Sequence, residues 1–318
     1  MAIDVTCVGI LVADILAKPV ESLPEKGKLQ LVDSIGLFSG GNAMTAALNI
    51  ATLGGKTALC GKVGKDPLGD FLRGKLSKSG VDTRGLAEDD CAQTSSSVAL
   101  SASDGERSFL HCVGANGTFS IDDVCWPVIE ESHTVFVTGT FLLDTFDGKQ
   151  TADFLKKCRE MGKTTALDVC WDSRGRWASL LDEAMPYIDY FLPSYEEAIQ
   201  LAEMPDGTPP EQLAEVFFRK GVGSVVIKWG SHGCYAQENA DTPGVCLPTY
   251  THIKAVDTTG AGDSFCSGFL AALTRGESFL DCARFANAAG THCVMAKGAT
   301  TGMKSYEEIK KFMEENPL

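Results

Sequence analysis

No stretch of the chain is apolar for the length of a membrane span, and no two cysteines stand in a C-x-x-C pair. Basic residues are scarce. Lys and Arg number 28 against 42 Asp and Glu, for a net charge of −14. Such a surface disfavours general binding to nucleic acid or to anionic membranes, so no nucleic-acid and no membrane partner is expected. An anionic ligand would need a local basic or backbone site. The five histidines show no metal-ligand spacing with each other or with cysteine. Internal repeats and low-complexity tracts are also missing. The opening "MAIDVTCVGILVADI" carries Asp4 and Asp14 and lacks a basic leader, so it does not read as a signal peptide. Asn116-Gly117-Thr118 matches a glycosylation sequon but reads as a turn.

Cysteine, by contrast, is abundant. The 12 cysteines are scattered from Cys7 to Cys293, mostly in apolar runs. Free, buried thiols in a reducing compartment fit this pattern better than a disulfide framework, and a cytoplasmic protein is expected. At 318 residues and 44% hydrophobic, the chain can bury a large core.

Strand-like and helix-like stretches alternate. Strands are predicted at 5–11, 56–64, 134–140, 164–169, 189–194 and 224–230. Helices are predicted at 42–54 and 66–80, and near 148–161, 174–184, 194–203 and 209–220. That rhythm predicts an α/β fold with a mostly parallel sheet covered by helices on both faces. Ligands in such folds lie beyond the carboxyl ends of the strands. Residues 95–116 break the rhythm: they read as two strands around an Asp104-Gly105 turn. With the turn-rich stretch 15–38 they predict a small β lid inserted into a single domain spanning 1–318.

Two nucleotide signatures fail. Gly55-Lys56-Thr57 resembles the end of a P-loop, but Ile50 occupies the place of its first glycine and a strand follows. No G-x-G-x-x-G opens a helix after a strand. The remaining candidate is "VDTTGAGDSFCSGFL" (256–270). Val256 and its predecessors read as a strand end. From Asp263 onward, Phe265 and Phe269 stand four apart, while Gly268, Ala271 and Ala272 keep another face thin. Gly260, Ala261 and Gly262 therefore precede a helix N-terminus. Its N–H groups and dipole attract anions, and small residues permit close approach. Asp263 would repel a phosphate there. Its alternatives are a plain helix cap, or a base that takes a proton from an attacking hydroxyl. The latter help is worth roughly 10²–10⁴-fold.

This constellation resembles the ribokinase-like, PfkB-type carbohydrate kinases. "DTTGAGDSFCSGFL" is similar to their C-terminal signature, and "SGGNAMTAALNIATLGGKTALCGKVGKDPLGDFL" (39–72) to their N-terminal one, in the right order. The resemblance implies a three-layer sandwich with a β lid, and ATP-dependent phosphorylation of a primary hydroxyl of a monosaccharide or close derivative. It implies Asp263 as catalytic base, with Gly260, Ala261 and Gly262 as the anion hole. Asp14 would accept sugar hydroxyls, and Gly40 and Gly41 would let the sugar lie against the backbone. Lys228, Gly230 and Gly233 in "KWGSHG" would form the nucleotide loop, with Asn287 near the adenine. Glu197 would act on Mg2+ through water, and Asp257 and Thr259 would hold a monovalent cation such as K+. Two positions depart from the family: Thr45 and Ser194 stand where asparagines are frequent.

The flap adds His111, Gly114 and Asn116 as candidate sugar contacts, and Arg107 as a candidate for an acidic sugar. Asp168, Asp172 and Arg174 follow a predicted strand and are candidate ligand contacts, or else loop caps and surface pairs. Phe109 and Phe119 offer thin support for an alternative acceptor, a nucleoside or vitamin alcohol. A non-catalytic sugar- or nucleotide-binding regulator is the other alternative. An exposed flap also invites edge pairing with a second copy, a possible homodimer through the lid.

Overall fold

The computed structural model describes residues 2–103 and 107–318. Its first half contains β1 (Ile3–Gly9), β2 (Val12–Lys18), β3 (Ser34–Gly40), α1 (Asn42–Thr52), β4 (Thr57–Gly64), α2 (Pro67–Lys78), β5 (Asp82–Asp89), β6 (Ser96–Ser101), β7 (Arg107–Cys112), α3 (Trp126–Glu130) and β8 (Ser132–Thr140). The second half runs through α4 (Lys149–Glu160), β9 (Thr164–Val169), α5 (Ala178–Leu181), β10 (Tyr190–Phe191), α6 (Tyr195–Ala202), α7 (Pro210–Arg219), β11 (Ser224–Lys228), β12 (Cys234–Gln237), β13 (Val245–Leu247), α8 (Ala261–Leu273), α9 (Phe279–Val294) and α10 (Tyr306–Glu315).

The strands make a nine-stranded sheet, ordered β13-β12-β11-β10-β9-β8-β1-β4-β5, and a separate four-stranded sheet, β3-β2-β6-β7. The large sheet is parallel from β11 through β5, and only β12 and β13 run antiparallel. Alternation along buried strands divides the core between its two faces. Val5 and Cys7 of β1 and Val226 of β11 join the apolar layer under α1, α8 and α9. Val8, Val225 and Ile227 point oppositely, into the layer under α4, α6 and α7. The result is the expected three-layer α/β sandwich with a β lid. The thin face of α8 has a use: a Cβ on Gly268 would fall 2.6 Å from that of Ala289 on α9. All 12 cysteines are free thiols.

Several local expectations need correcting. The strand expected at 189–194 is only Tyr190–Phe191, because Pro193 has no N–H to give the ladder and Ser194 already caps α6. The helix expected over 174–184 shrinks to α5, because the Asp172 carboxylate draws the N–H groups of Arg174, Arg176 and Trp177 into a loop. No strand leads into the Val256 stretch; Val256 and Asp257 instead donate to the Val294 carbonyl at the end of α9. The lid strands begin earlier than expected, so Asp14 lies on β2 itself. The Asp104-Gly105 turn and the Arg107 side chain lie outside the described residues.

Candidate active site

The glycine at the head of α8 is a conformational necessity. Gly260 holds φ 77°, in the left-handed region, and a Cβ there would meet Ala299. No side chain among the described residues caps the helix, so no capping oxygen competes for its first N–H groups. The Ala261 N–H turns back to the Thr258 carbonyl at 3.2 Å. A Cβ on Gly262 would lie 3.6 Å from Lys228 Nζ, so this glycine faces the ammonium. Asp263 does not cap. It stands in the first turn, and its Oδ1 accepts a 2.8 Å hydrogen bond from Asn42 Nδ2. Burial first, and then the nearby charge of Asp168, push its carboxyl up to about 7, against Lys228 and Asn42, which favour the charged form. A group poised there gains or loses a proton near neutrality, as a general base must.

The lid brings a second set of groups together. Register places Phe38, Asp14, Ser97 and His111 side by side across β3, β2, β6 and β7. Because strand side chains alternate, all four share one face. Ser97 Oγ lies 3.0 Å from His111 Nδ1, and Ser97 is the neighbour that opposes the rise of the Asp14 carboxyl. Burial causes that rise, holding Asp14 above the ordinary carboxylate range. Phe109 stands one step along the same face, and both phenylalanines are exposed.

The glycine pair joins these two sets. A Cβ on Gly40 would strike Asp14 Oδ2, and one on Gly41 would strike the backbone of Ile10 and Leu11. These glycines also have a structural reason. Their missing side chains make room for the Asp14 carboxylate and for the crossing from β1 into the lid. Gly40 thus adjoins Asp14, and Asn42, two residues on, holds Asp263.

On the other side of the α8 N-terminus, Lys228 Nζ bonds Asp168 Oδ1 at 2.6 Å, Asp168 being buried and Lys228 mostly so. Burial works most strongly against the ammonium, but the surrounding charges, Asp168 first, and the Asp168 hydrogen bond together hold Lys228 above an ordinary lysine. Glu197 is raised by burial and held by a reciprocal cap with Ser194, whose N–H it accepts at 2.8 Å. A cavity of about 390 Å³ opens beside Lys228, bounded by Gly230, Gly233, Ala261, Gly262 and Asn287. Gly230 has φ 50° and open space where a side chain would be. Such a cleft, apolar in most of its lining, suits a nucleotide base.

Other expected contacts also have partners within the fold. A Cβ on Gly233 would collide with the Leu247 carbonyl, so β13 explains this glycine. Asn287 lines the cavity while its amide holds the Pro248 carbonyl at 3.1 Å. Asn116 is buried and its amide brackets the Leu11 backbone, accepting at 3.2 Å and donating at 2.9 Å, so it pins the lid root. Thr45 lies inside α1 at 2% exposure. Asp172 organises its own loop, and Arg174 pairs with Asp144 at 2.7 Å on the surface. Phe119 is fully buried against Phe146, not in the cleft. The Asp257 carboxylate ties its turn to Gly298, accepting from Thr259 Oγ1 at 2.7 Å and from the Gly298 N–H at 3.0 Å.

Sequence reasoning missed Asn42, Phe38, Ser97 and the stack of Tyr195, Trp229 and His232 at the loop after β11. A signal for Asn42 was present: it follows the glycine pair and opens the helix that carries the Thr45 departure. Phe38 and Ser97 became visible only through strand register.

The pattern of the pfkB family carbohydrate kinases matches residues 2–305. A ribokinase of Haemophilus influenzae is 27% identical over 86% of this chain and 87% of its own. A fructokinase of Vibrio alginolyticus is 27% identical over 86% and 91%. The structure of Arabidopsis thaliana ribokinase complexed with ribose and ATP superposes with a TM-score of 0.86, covering 99% of each chain at 26% identity. The chain belongs to the pfkB family, and is an ATP-dependent carbohydrate kinase.

Proposed function

We propose that this kinase transfers the γ-phosphoryl group of ATP to a primary hydroxyl of a monosaccharide or close derivative, with Asp263 as general base. One observation carries the reading: a carboxyl pushed up to about 7 sits in the first turn of an uncapped helix, between the lid root and the cavity. Asp14 would fix the sugar by accepting its hydroxyls, with Ser97 and His111 as neighbours in the same row. The acceptor hydroxyl would give its proton to Asp263 as its oxygen attacks phosphorus and ADP leaves. The N–H groups of Gly262 and its neighbours, with the helix dipole and Lys228, would stabilise charge on the moving phosphoryl group.

ATP fits the cavity by its size and lining, with Gly230 and Gly262 open toward it. For Mg2+, no cluster of three or more His, Cys, Asp or Glu able to hold a metal occurs among the described residues. An ion arriving with nucleotide phosphates and keeping most of its waters fits that donor set, with Glu197 reaching it through water. It would neutralise phosphate charge. A monovalent cation at Asp257 and Thr259 belongs to the same reading and would add fixed charge beside the anion hole.

Coupled ADP release across ribose, fructose, acidic sugars and nucleosides, with Asp263→Asn as control, tests the proposal. A strong preference for one free sugar, abolished in the variant, is expected. The second reading, a nucleoside or vitamin alcohol as acceptor, is favoured by Phe38 and Phe109, exposed on the Asp14 face of the lid. Turnover only with compounds carrying a planar ring would select it. Binding without ADP release from any compound would identify a regulator instead.

A further inference from the structure

The polar contacts between α1 and α8 form one seam. Asn42, Ala46 and Asn49 recur at helical spacing along α1. Asn42 Nδ2 donates to Asp263 Oδ1 at 2.8 Å, and Asn49 Nδ2 to Ser264 Oγ at 2.9 Å. Ser267 Oγ approaches the Ala46 carbonyl at 3.4 Å. Asn49 and Ser264 are buried, so the seam is closed to solvent below Asn42. Asp263 Oδ2 has no hydrogen-bond partner among the described residues, which leaves that oxygen for another group.

The upper end of the seam meets the lid. Lid strand β3 ends at Gly40 and α1 begins at Asn42, with only Gly41 between them. Gly41 lies against Ile10 and Leu11, and Leu11 is bracketed by Asn116. Asn42 is therefore the first side chain after a fixed root from which both β2 and β3 leave for the lid.

We propose that Asn42 is a positioning residue for Asp263: its amide engages Oδ1, turns Oδ2 toward the acceptor, and makes the placement of the lid root felt at that carboxylate. The inference rests on the reading of Asp263 as base for its catalytic meaning, though not for its physical content. An amide donor stabilises the ionised carboxylate, and its loss disfavours that form. The charged and titratable groups around Asp263 are Asp168 on β9, Lys228 on β11, Glu197 on α6, Cys7 on β1, Cys266 on α8 itself, and Cys170 and Cys293 from the loop after β9 and from α9. The thiols are all raised by burial, so the balance rests on Asp168 and Glu197 against Lys228 and Asn42.

The test is the pH titration of the Asp263 carboxyl carbon by NMR in the sugar-free protein, assigned by its loss in Asp263→Asn. Asn42→Leu should raise the midpoint by about one unit, as expected for losing a hydrogen bond to a charged group. Asn42→Asp should raise it further through like-charge repulsion. Asn49→Leu, which loosens the same seam one step away, should leave it in place. In turnover, the acid limb of kcat for Asn42→Leu should move by the same amount, costing about tenfold below the limb with little change in sugar KM. Should Asn42→Leu fail to fold, Asn42→Ser and Asn42→Asp carry the same measurement. An unchanged midpoint in folded Asn42 variants, or an equal movement in Asn49→Leu, overturns the inference. If the midpoint moves but Asp263→Asn keeps full turnover, the positioning stands and the base assignment fails.

Discussion

Lys228 Nζ and Asp168 Oδ1 meet at 2.6 Å at the carboxyl ends of two parallel strands, with Asp168 buried and Lys228 mostly so. Neither end of this pair is dispensable alone. Asp168 raises the Asp263 carboxyl by repulsion, and Lys228 lowers it by attraction.

Removing the ammonium should therefore do two things. Lys228→Met leaves Asp168 charged, buried and unpaired, a change that costs about 3–5 kcal/mol in comparable pairs. It should also move the acid limb of turnover to higher pH, because Asp263 loses its opposing charge. The double variant Lys228→Met/Asp168→Leu should recover much of the stability and none of the phosphoryl transfer. Urea unfolding and ADP release on the three proteins would check this. A stable, fully active Lys228→Met would refute it.

Gly40→Ala should separate the two substrates. The new Cβ would collide with Asp14 Oδ2, while the cavity beside Lys228, proposed for the nucleotide, lies elsewhere. Sugar KM should rise roughly tenfold or more, the equivalent of about 1.4 kcal/mol of binding, with ATP KM nearly unchanged. Equal changes in both constants would show that the glycine serves the fold as a whole.

The fold was legible because its signals are local. Parallel strands alternate with helices of helical period, and the Asp104-Gly105 turn flagged the lid from residue types alone. Edge strands were less so: Asp82–Asp89 is rich in charge and Val245–Leu247 is only three residues, so neither shows a buried-strand pattern. The helix start that carries Asp263 and its glycines was readable for the same local reason, as small residues before a helix. The Asn42–Asp263 bond spans 221 residues, and the Phe38–Asp14–Ser97–His111 row depends on register in three strand pairings. The bonds of Asn116 to the Leu11 backbone were not legible, because a buried amide serving a backbone looks, in sequence, like one serving a ligand.

The lid's second face predicts association. Ile15, Leu37, Val98 and Leu110 share the face opposite Asp14 by the same register, as Ala17, Ile35 and Leu100 do one step along. Ile35, Leu37 and Leu110 are 70%, 40% and 63% exposed. A four-stranded sheet apolar on this side would be covered by a second copy. Sedimentation should give a dimer for the native chain and a monomer for Leu110→Glu. A native chain that sediments as a monomer at micromolar concentration would end this idea.

Asp263 sets stability against activity. Its carboxyl has an ordinary value of 3.8 and is pushed up to about 7 in the folded protein, first by burial and then by Asp168. The folded state thus holds this proton more tightly than the unfolded chain. The stabilisation is complete below the unfolded value and is lost as pH climbs toward 7, at roughly 1.4 kcal/mol per unit of separation. A general base must be ionised to accept a proton, so if Asp263 is that base kcat/KM should rise over the same interval. Asp263→Asn keeps an oxygen for the Asn42 donor but cannot ionise. Its Tm should exceed that of the native chain by a margin that widens from pH 5 to about 7 and is level above, while turnover falls roughly 10²–10⁴-fold. Melting both proteins across pH 5–8.5 is sufficient. A margin that stays constant through that range would mean Asp263 is already ionised when folded, and the rise in kcat/KM would then belong to another group.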